Sequence, residues 1–473
     1  MIPPPELPSP PSLDAPPPGL EALDDAAFSA PLPQPRLVPS TLRLNIKGRS
    51  VRLRGLRQPP KGLLGLLLIL GPGVIATAAG NDAGGIATYS QAGAQYGYDL
   101  IWVMVIITVS LAVVQEMCAR LGAATGRGLL DLIREQFGLG WSLFAVSVVL
   151  VANGGLIVSE FAGVGAAAEL FGVNRYLAIA VAAVGLWYLV IFGSYGWVEK
   201  IFIVMTLVFF AYPAADFLGH PHWGQVLHHA VMPHIQVNAP YIFLLVGLLG
   251  TTITPYMQLF QQSSLVEKGA GRLHYGPERI DAMFGSLFSN LMSIAMIIAT
   301  AATLHAMGNT NINTAADAAK ALEPVAGRFA FALFGVGLLG ASLLAGAVLP
   351  LATAYAVAET FGEPRGVGLD FRRAPAFFRL FSALIFAGAA LAMFPGLPLI
   401  TLLVWVQVLN GALLPFILIF ILVLANDPAL MGHLKNKAGT NWLGWGTFAM
   451  ITLAVLVMFA TQIAAKFGWV HGI

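Results

Sequence analysis

The residues of this chain that could do chemistry begin with one carboxylate in an apolar setting. Asp82 lies between Gly71 and Thr88, inside an apolar run over 63–94 that is long enough to cross a bilayer. Gly80, Gly84 and Gly85 surround it, and glycines this close together weaken a helix through their backbone freedom, so a helix is expected to break here. An ionisable group at membrane depth costs several kcal/mol and persists where it faces a cavity or a partner. Non-helical backbone at that depth must line water or protein. The same residues also fit a close helix contact with a neutral, hydrogen-bonded Asp82. A second interruption lies in Gly250-Thr251-Thr252-Ile253-Thr254-Pro255-Tyr256-Met257-Gln258, where Pro255 removes a helical hydrogen bond and clashes with the preceding turn.

The elements that must position these groups are membrane spans. The chain has 473 residues, 57% hydrophobic and 10% charged, with mean hydropathy +0.78. That composition excludes a water-soluble globule and matches an all-α polytopic membrane protein. Apolar windows place spans near 63–94, 98–120, 141–172, 175–193, 197–218, 239–265, 281–305, 325–361, 377–395, 398–424 and 441–466. Of the 25 Lys and Arg, all but Arg175, Lys320, Arg328 and Lys466 then fall on the side of the N-terminus. The positive-inside rule accordingly puts the N-terminus in the cytoplasm and the C-terminus outside the plasma membrane. The interrupted first and sixth spans lie five spans apart. This spacing predicts two inverted five-helix repeats, 61–218 and 239–424, with an ion or solute site between them and 441–466 as an added eleventh span.

Outside the spans the signals are weaker. Residues 1–60 form a Pro-rich stretch, expected as a disordered cytoplasmic tail that ends in the basic run Arg43 to Lys61. No apolar segment follows a basic start, so no signal peptide is expected. The connection from His220 to Ala239 carries His220, His222, His228, His229 and His234; with no acid beside them in sequence, a solvated loop is favoured over a metal site. Cys118 is the single cysteine and is expected to pack. A net charge of +2 is too small for a nucleic-acid footprint. There is no His-Glu-x-x-His motif, thiolate cluster or paired acids at helical spacing within one span, so an enzyme is not expected.

Several segments carry a family resemblance. Gly71-Pro72-Gly73, Asp82-Ala83-Gly84-Gly85, Gln91 to Tyr98, Ala119-Arg120-Leu121-Gly122, Val198-Glu199-Lys200, Trp405-Val406-Gln407-Val408 and Leu414-Pro415-Phe416 resemble the NRAMP divalent-metal transporters over roughly residues 55 to 435. The resemblance implies a LeuT-like fold with broken helices 1 and 6. The departures narrow it. The family's first-span Asp-Pro-Gly-Asn has Ala83 at its proline and Gly85 at its asparagine. Its sixth-span Met-Pro-His has Thr254 at the methionine and Tyr256 at the histidine, and the second histidine position is Gln261. Met232-Pro233-His234 falls in the polar loop and is a coincidence. In this pattern the chain is similar to the NRAMP-related magnesium transporters.

Ligand chemistry points the same way. Losing a soft thioether leaves oxygens suited to Mg²⁺ or Mn²⁺, and Mg²⁺ keeps several waters while taking one or two carboxylates directly. The expected shell is Asp82 as the charged ligand, carbonyls freed at Gly80 and Thr251, the Thr254 hydroxyl, and amide oxygens of Gln407 or Asn410, with Gly85 leaving room for water. Interhelical hydrogen bonding is an equal reading for Gln407 and Asn410. Glu160 matches an acidic position of the family's proton path and is a candidate secondary cation or proton site. Glu116 and Glu359, near span ends, are expected to be solvated or paired with Arg120 and other basic residues. With Tyr256 and Gln261 at the histidine positions, proton coupling is not expected. The leading reading is an importer of largely hydrated Mg²⁺, tolerating Mn²⁺, with the ion as substrate and no cofactor. A proton-coupled Mn²⁺ or Fe²⁺ symporter is the runner-up, and an amino-acid transporter of the same architecture a more distant one. The bilayer is the one other partner expected; a monomer is compatible with the sequence.

Overall fold

The structure, a computed structural model, describes residues 42–46, 49–53, 81–192, 211–218, 221–267, 275–366, 369 and 371–467. In the N-terminal unit, Met1–Lys61, strands β1 (Leu42–Ile46) and β2 (Arg49–Leu53) pair antiparallel with Leu42 opposite Leu53 and Ile46 opposite Arg49. The sequence predicts no regular element before residue 61. The difference has a local cause, because Leu42, Leu44 and Ile46 alternate with polar residues at the period of a strand.

The second unit is helical. After Asp82 come α1 (Ala83–Tyr96), α2 (Ile101–Thr125), a short α3 (Leu129–Phe137), α4 (Leu139–Leu170), α5 (Arg175–Phe192), α6 (Ala211–Leu218) and α7 (Trp223–Val231). Then follow α8 (Ala239–Thr252), α9 (Pro255–Glu267), α10 (Tyr275–Thr300), a short α11 (Ala315–Ala319), α12 (Ala330–Phe361), α13 (Pro375–Ala392), α14 (Leu399–Asn426) and α15 (Ala438–Lys466).

Among the described residues nine helical segments are long and apolar enough to span a membrane. They coincide with the second to fourth and sixth to eleventh spans expected from the sequence. Of the first span only α1 is described and of the fifth only α6, so the predicted break ahead of Asp82 lies partly outside the described residues. The sixth span is broken as predicted: α8 stops at Thr252, Ile253 and Thr254 are non-helical, and Pro255 opens α9. Proline suits the first turn of a helix, where its missing N–H has no partner to lose. Asn238 caps the other end of α8, its side chain accepting from Tyr241 N at 2.8 Å.

The centre of the bundle is built on α4, which packs against α12, α14 and α13, while α14 also packs against α8 and α1. Tyr89, Tyr241, Tyr256, Phe161, Phe377 and Phe381 are fully buried there. By contrast Leu177, Val181 and Tyr188 of α5 and Leu453, Leu456 and Phe459 of α15 are exposed. Apolar outer faces of this kind are what hydrocarbon requires of a span.

Candidate ion-binding site

The site is built on the N-terminus of α1. Asp82 is the N-cap: its backbone is extended, and Oδ1 accepts from Gly85 N at 2.6 Å. A carboxylate there satisfies an N–H that the helix cannot and meets the positive end of the helix dipole. The amide of Gln407, from the middle of α14, donates through Nε2 to Asp82 Oδ1 at 3.1 Å. From α4, Glu160 Oε2 accepts from Ala83 N at 3.3 Å, one residue along the same turn, and its Oε1 accepts from Ser159 Oγ at 3.4 Å. Two carboxylates thus converge on one helix end. The sequence treats Glu160 as a secondary position, whereas the fold brings it onto the residue next to Asp82.

The end of α8 forms the facing wall. Asn410 Nδ2 donates to Gly250 O at 2.6 Å, using the last helical turn before the break. The contact is possible because residue 250 has no side chain: a Cβ there would lie 2.0 Å from the backbone oxygen of Gln407. Thr251 and Thr254 are both fully buried. Tyr256, in the first turn of α9, is fully buried close to them in sequence. Tyr89 Oη and Thr252 Oγ1 are 3.0 Å apart beside it.

The balance of this pocket is unusual. Asp82 and Glu160 are both fully buried, yet the ion pairs of the described residues all lie elsewhere. Buried carboxylates without a counter-ion are costly. Among the described residues Gln407 Oε1 and Asn410 Oδ1 are buried without hydrogen-bond partners, so the same pocket holds neutral oxygens that no described group uses. A divalent cation would answer both deficits with hard-oxygen ligands.

Of the expected site residues, Asp82, Gly85, Gln407 and Glu160 are thus joined through α1, and Asn410, Thr251, Thr254 and Tyr256 belong to the opposite wall. Gln261 is buried on α9, about two turns after Thr254. Gly80 lies outside the described residues.

A family model described as natural resistance-associated macrophage protein-like, Nramp, matches residues 73–461. The chain belongs to the Nramp family. The divalent metal cation transporter MntH of Ralstonia nicotianae is 31% identical over 415 residues, covering 83% of this chain and 90% of its own. That of Aeromonas hydrophila is 28% identical over 388 residues, covering 80% and 92%. The solved structure of a manganese transporter from Eremococcus coleocola has a TM-score of 0.66 at 20% identity and covers 86% of this chain and 90% of its own. MhsT, solved with L-phenylalanine, has a TM-score of 0.54 at 13% identity over 86% and 99%. The last two likenesses speak for the fold, which is the LeuT-like arrangement of two inverted five-helix repeats with an added eleventh helix. As an Nramp protein the chain is a multi-pass membrane transporter and not an enzyme.

Some residues at this Nramp site escape sequence reasoning. Asn81 is buried and accepts from Ser293 Oγ of α10 at 3.0 Å, tying the entry of α1 to α10. Ser342 of α12 has a buried hydroxyl with no hydrogen-bond partner among the described residues, and a Cβ on Gly163, one turn after Glu160, would lie 2.4 Å from it. Asn81 was detectable as a polar neighbour of Asp82 in an apolar run; Ser342 had no signal. The histidine loop needs a correction as well. It has an acidic neighbour, because Asp99 from the α1–α2 turn meets His229 Nδ1 at 3.2 Å and His234 Nδ1 at 2.9 Å. Even so, no group of three or more His, Cys, Asp or Glu suited to a metal occurs among the described residues. Cys118 is buried.

Proposed function

We propose that this Nramp protein imports divalent cations, chiefly Mg²⁺ with Mn²⁺ tolerated, as largely hydrated ions and without proton coupling. The observation that carries the reading is the pair of buried carboxylates at the α1 N-terminus, without a basic partner among the described residues and beside neutral amide oxygens. Asp82 is the direct charged ligand. Gln407, Asn410, Thr251, Thr254 and the backbone at Gly80 supply neutral oxygens, and Gly85 leaves water on the ion. Turning the Gln407 amide over exchanges its donor for an acceptor, so one side chain serves the empty carboxylate and the occupied site alike.

Selectivity follows from residue 254. A threonine hydroxyl replaces the family's thioether and removes the soft ligand that favours late transition metals. The relatives named for divalent metal and manganese transport favour the Mn²⁺ part of the runner-up, a proton-coupled Mn²⁺ or Fe²⁺ symporter. Tyr256 and Gln261 argue against it, since neither titrates near neutral pH as histidine does. An amino-acid substrate is disfavoured because its carboxylate would meet Asp82 and Glu160. The positive-inside pattern orients the chain with its N-terminus in the cytoplasm. Uptake by proteoliposomes of Mg²⁺, Mn²⁺ and Cd²⁺ in competition tests the proposal. It predicts that excess Mg²⁺ suppresses Mn²⁺ entry. Mn²⁺ entry indifferent to Mg²⁺ would favour the symporter.

A further inference from the structure

Far from the ion site, in the last turn of α12, Glu359 is buried with its side chain 1% exposed. Of the two sequence expectations for this acid, pairing with a basic residue holds, through Arg365, and solvation does not. Its Oε1 accepts from Ser263 Oγ of α9 at 2.8 Å, and its Oε2 accepts from Leu130 N in the first turn of α3 at 3.2 Å. Arg365 Nε lies 3.8 Å from Oε1, and the same guanidinium pairs with Asp131 of α3. The backbone before α3 is fitted around this carboxylate, for a Cβ on Gly128 would lie 2.0 Å from Oε1. Two neighbouring bonds repeat the linkage: Gln262 Nε2 of α9 donates to Arg127 O at 2.9 Å, and Arg134 donates to Thr360 O at 3.4 Å. A cavity of about 320 Å³, bounded by Ser263, Tyr355, Glu359, Glu363 and Arg365, adjoins the cluster.

Three elements therefore meet at one buried carboxylate. One of them, α9, is the half-helix that leaves the break at Ile253 and Thr254, and nothing helical joins it to α8. A half-helix hinged at one end and held by side-chain bonds further along is free to take two positions. We infer that Glu359 is a positioning residue for transport: its carboxylate clasps α9 against α12 and α3 and keeps this end of the transporter closed between ion passages. Hydrogen bonds to a charged acceptor are the strong class, so the clasp sets the closed population. The inference holds whichever divalent ion is carried.

The test is a thiol-labelling measurement that needs no transport. Cys118 is the single cysteine, so Gln258→Cys on a Cys118→Ser background gives one reporter, buried on α9 one turn after Thr254. A membrane-impermeant maleimide is applied to the face on which Glu359 lies, against Ser263→Ala, Ser263→Thr and Glu359→Gln. Loss of a bond to the carboxylate should raise the labelling rate about tenfold in Ser263→Ala, and Glu359→Gln should raise it as well. Ser263→Thr, which keeps the hydroxyl, should label at the parent rate, with Tm little changed in all. An unchanged rate in Ser263→Ala overturns the clasp, as does an equal rise in Ser263→Thr. If Glu359→Gln does not fold, the two Ser263 variants decide alone.

Discussion

At the scale of single residues, Asp82 as proposed has two duties that can be separated. As an N-cap it is worth about 1 kcal/mol of helix stability, and as the proposed charged ligand it would supply the attraction that offsets ion dehydration. Asp82→Asn keeps a capping oxygen and removes the charge. It should leave Tm close to the parent and reduce divalent uptake by proteoliposomes to background; Asp82→Ala should abolish uptake equally and lower Tm through the lost cap. Substantial uptake in the folded Asn variant would take Asp82 out of the site. Thr254→Met with Gly85→Asn restores the family's thioether and amide and should move preference from Mg²⁺ toward Mn²⁺ and Cd²⁺. A competition profile that did not move would locate selectivity elsewhere. Asp82, Thr254 and Gln407 were legible in sequence because a charge, a hydroxyl and an amide stand out in apolar spans. The closeness of Glu160 to Asp82 was not. The two acids are 78 positions apart, and a helix as uniformly apolar as α4 does not disclose which face meets α1.

At the scale of elements, the N-terminus of α1 and the α8–α9 interruption do the positioning. Proline at 255 is a local signal with a direct backbone cause, and the α8–α9 break appears where it puts it. Helix contacts are harder to read, because many side chains satisfy an apolar interface and only geometry shows which cannot be enlarged. Gly250 is such a place. Gly250→Ala should force α8 away from α14, cost about 1–3 kcal/mol through overpacking, and strain the Asn410 bond to Gly250 O. A lowered Tm together with weaker ion affinity is the expected result; an unchanged Tm would mean that the helices part freely. The Asp99 contacts with His229 and His234 show the same limit, since they join a turn to α7 and the loop after it, more than a hundred residues away.

At the scale of the whole molecule, hydropathy was sufficient to locate the nine spans found among the described residues, because the bilayer imposes length and polarity on every span, and the spacing of the interrupted spans carried the inverted-repeat reading. The hairpin at Leu42–Leu53 was missed because a Pro-rich, basic setting hid a short alternating pattern. What the whole transporter does with energy follows from its charges. A doubly charged ion moving inward through 100 mV releases about 4.6 kcal/mol, at roughly 2.3 per elementary charge, so accumulation needs no proton. Glu160 is the main buried acid left beside Asp82, and one acid makes a poor relay. The decisive measurement is Mg²⁺ entry into proteoliposomes holding a pH-sensitive dye, under an inside-negative potential, with the parent chain and with Glu160→Gln. The account predicts that Mg²⁺ enters faster as the potential grows while the interior pH stays constant. Metal-dependent acidification in the parent, abolished by Glu160→Gln, would contradict it and make the protein a proton symporter.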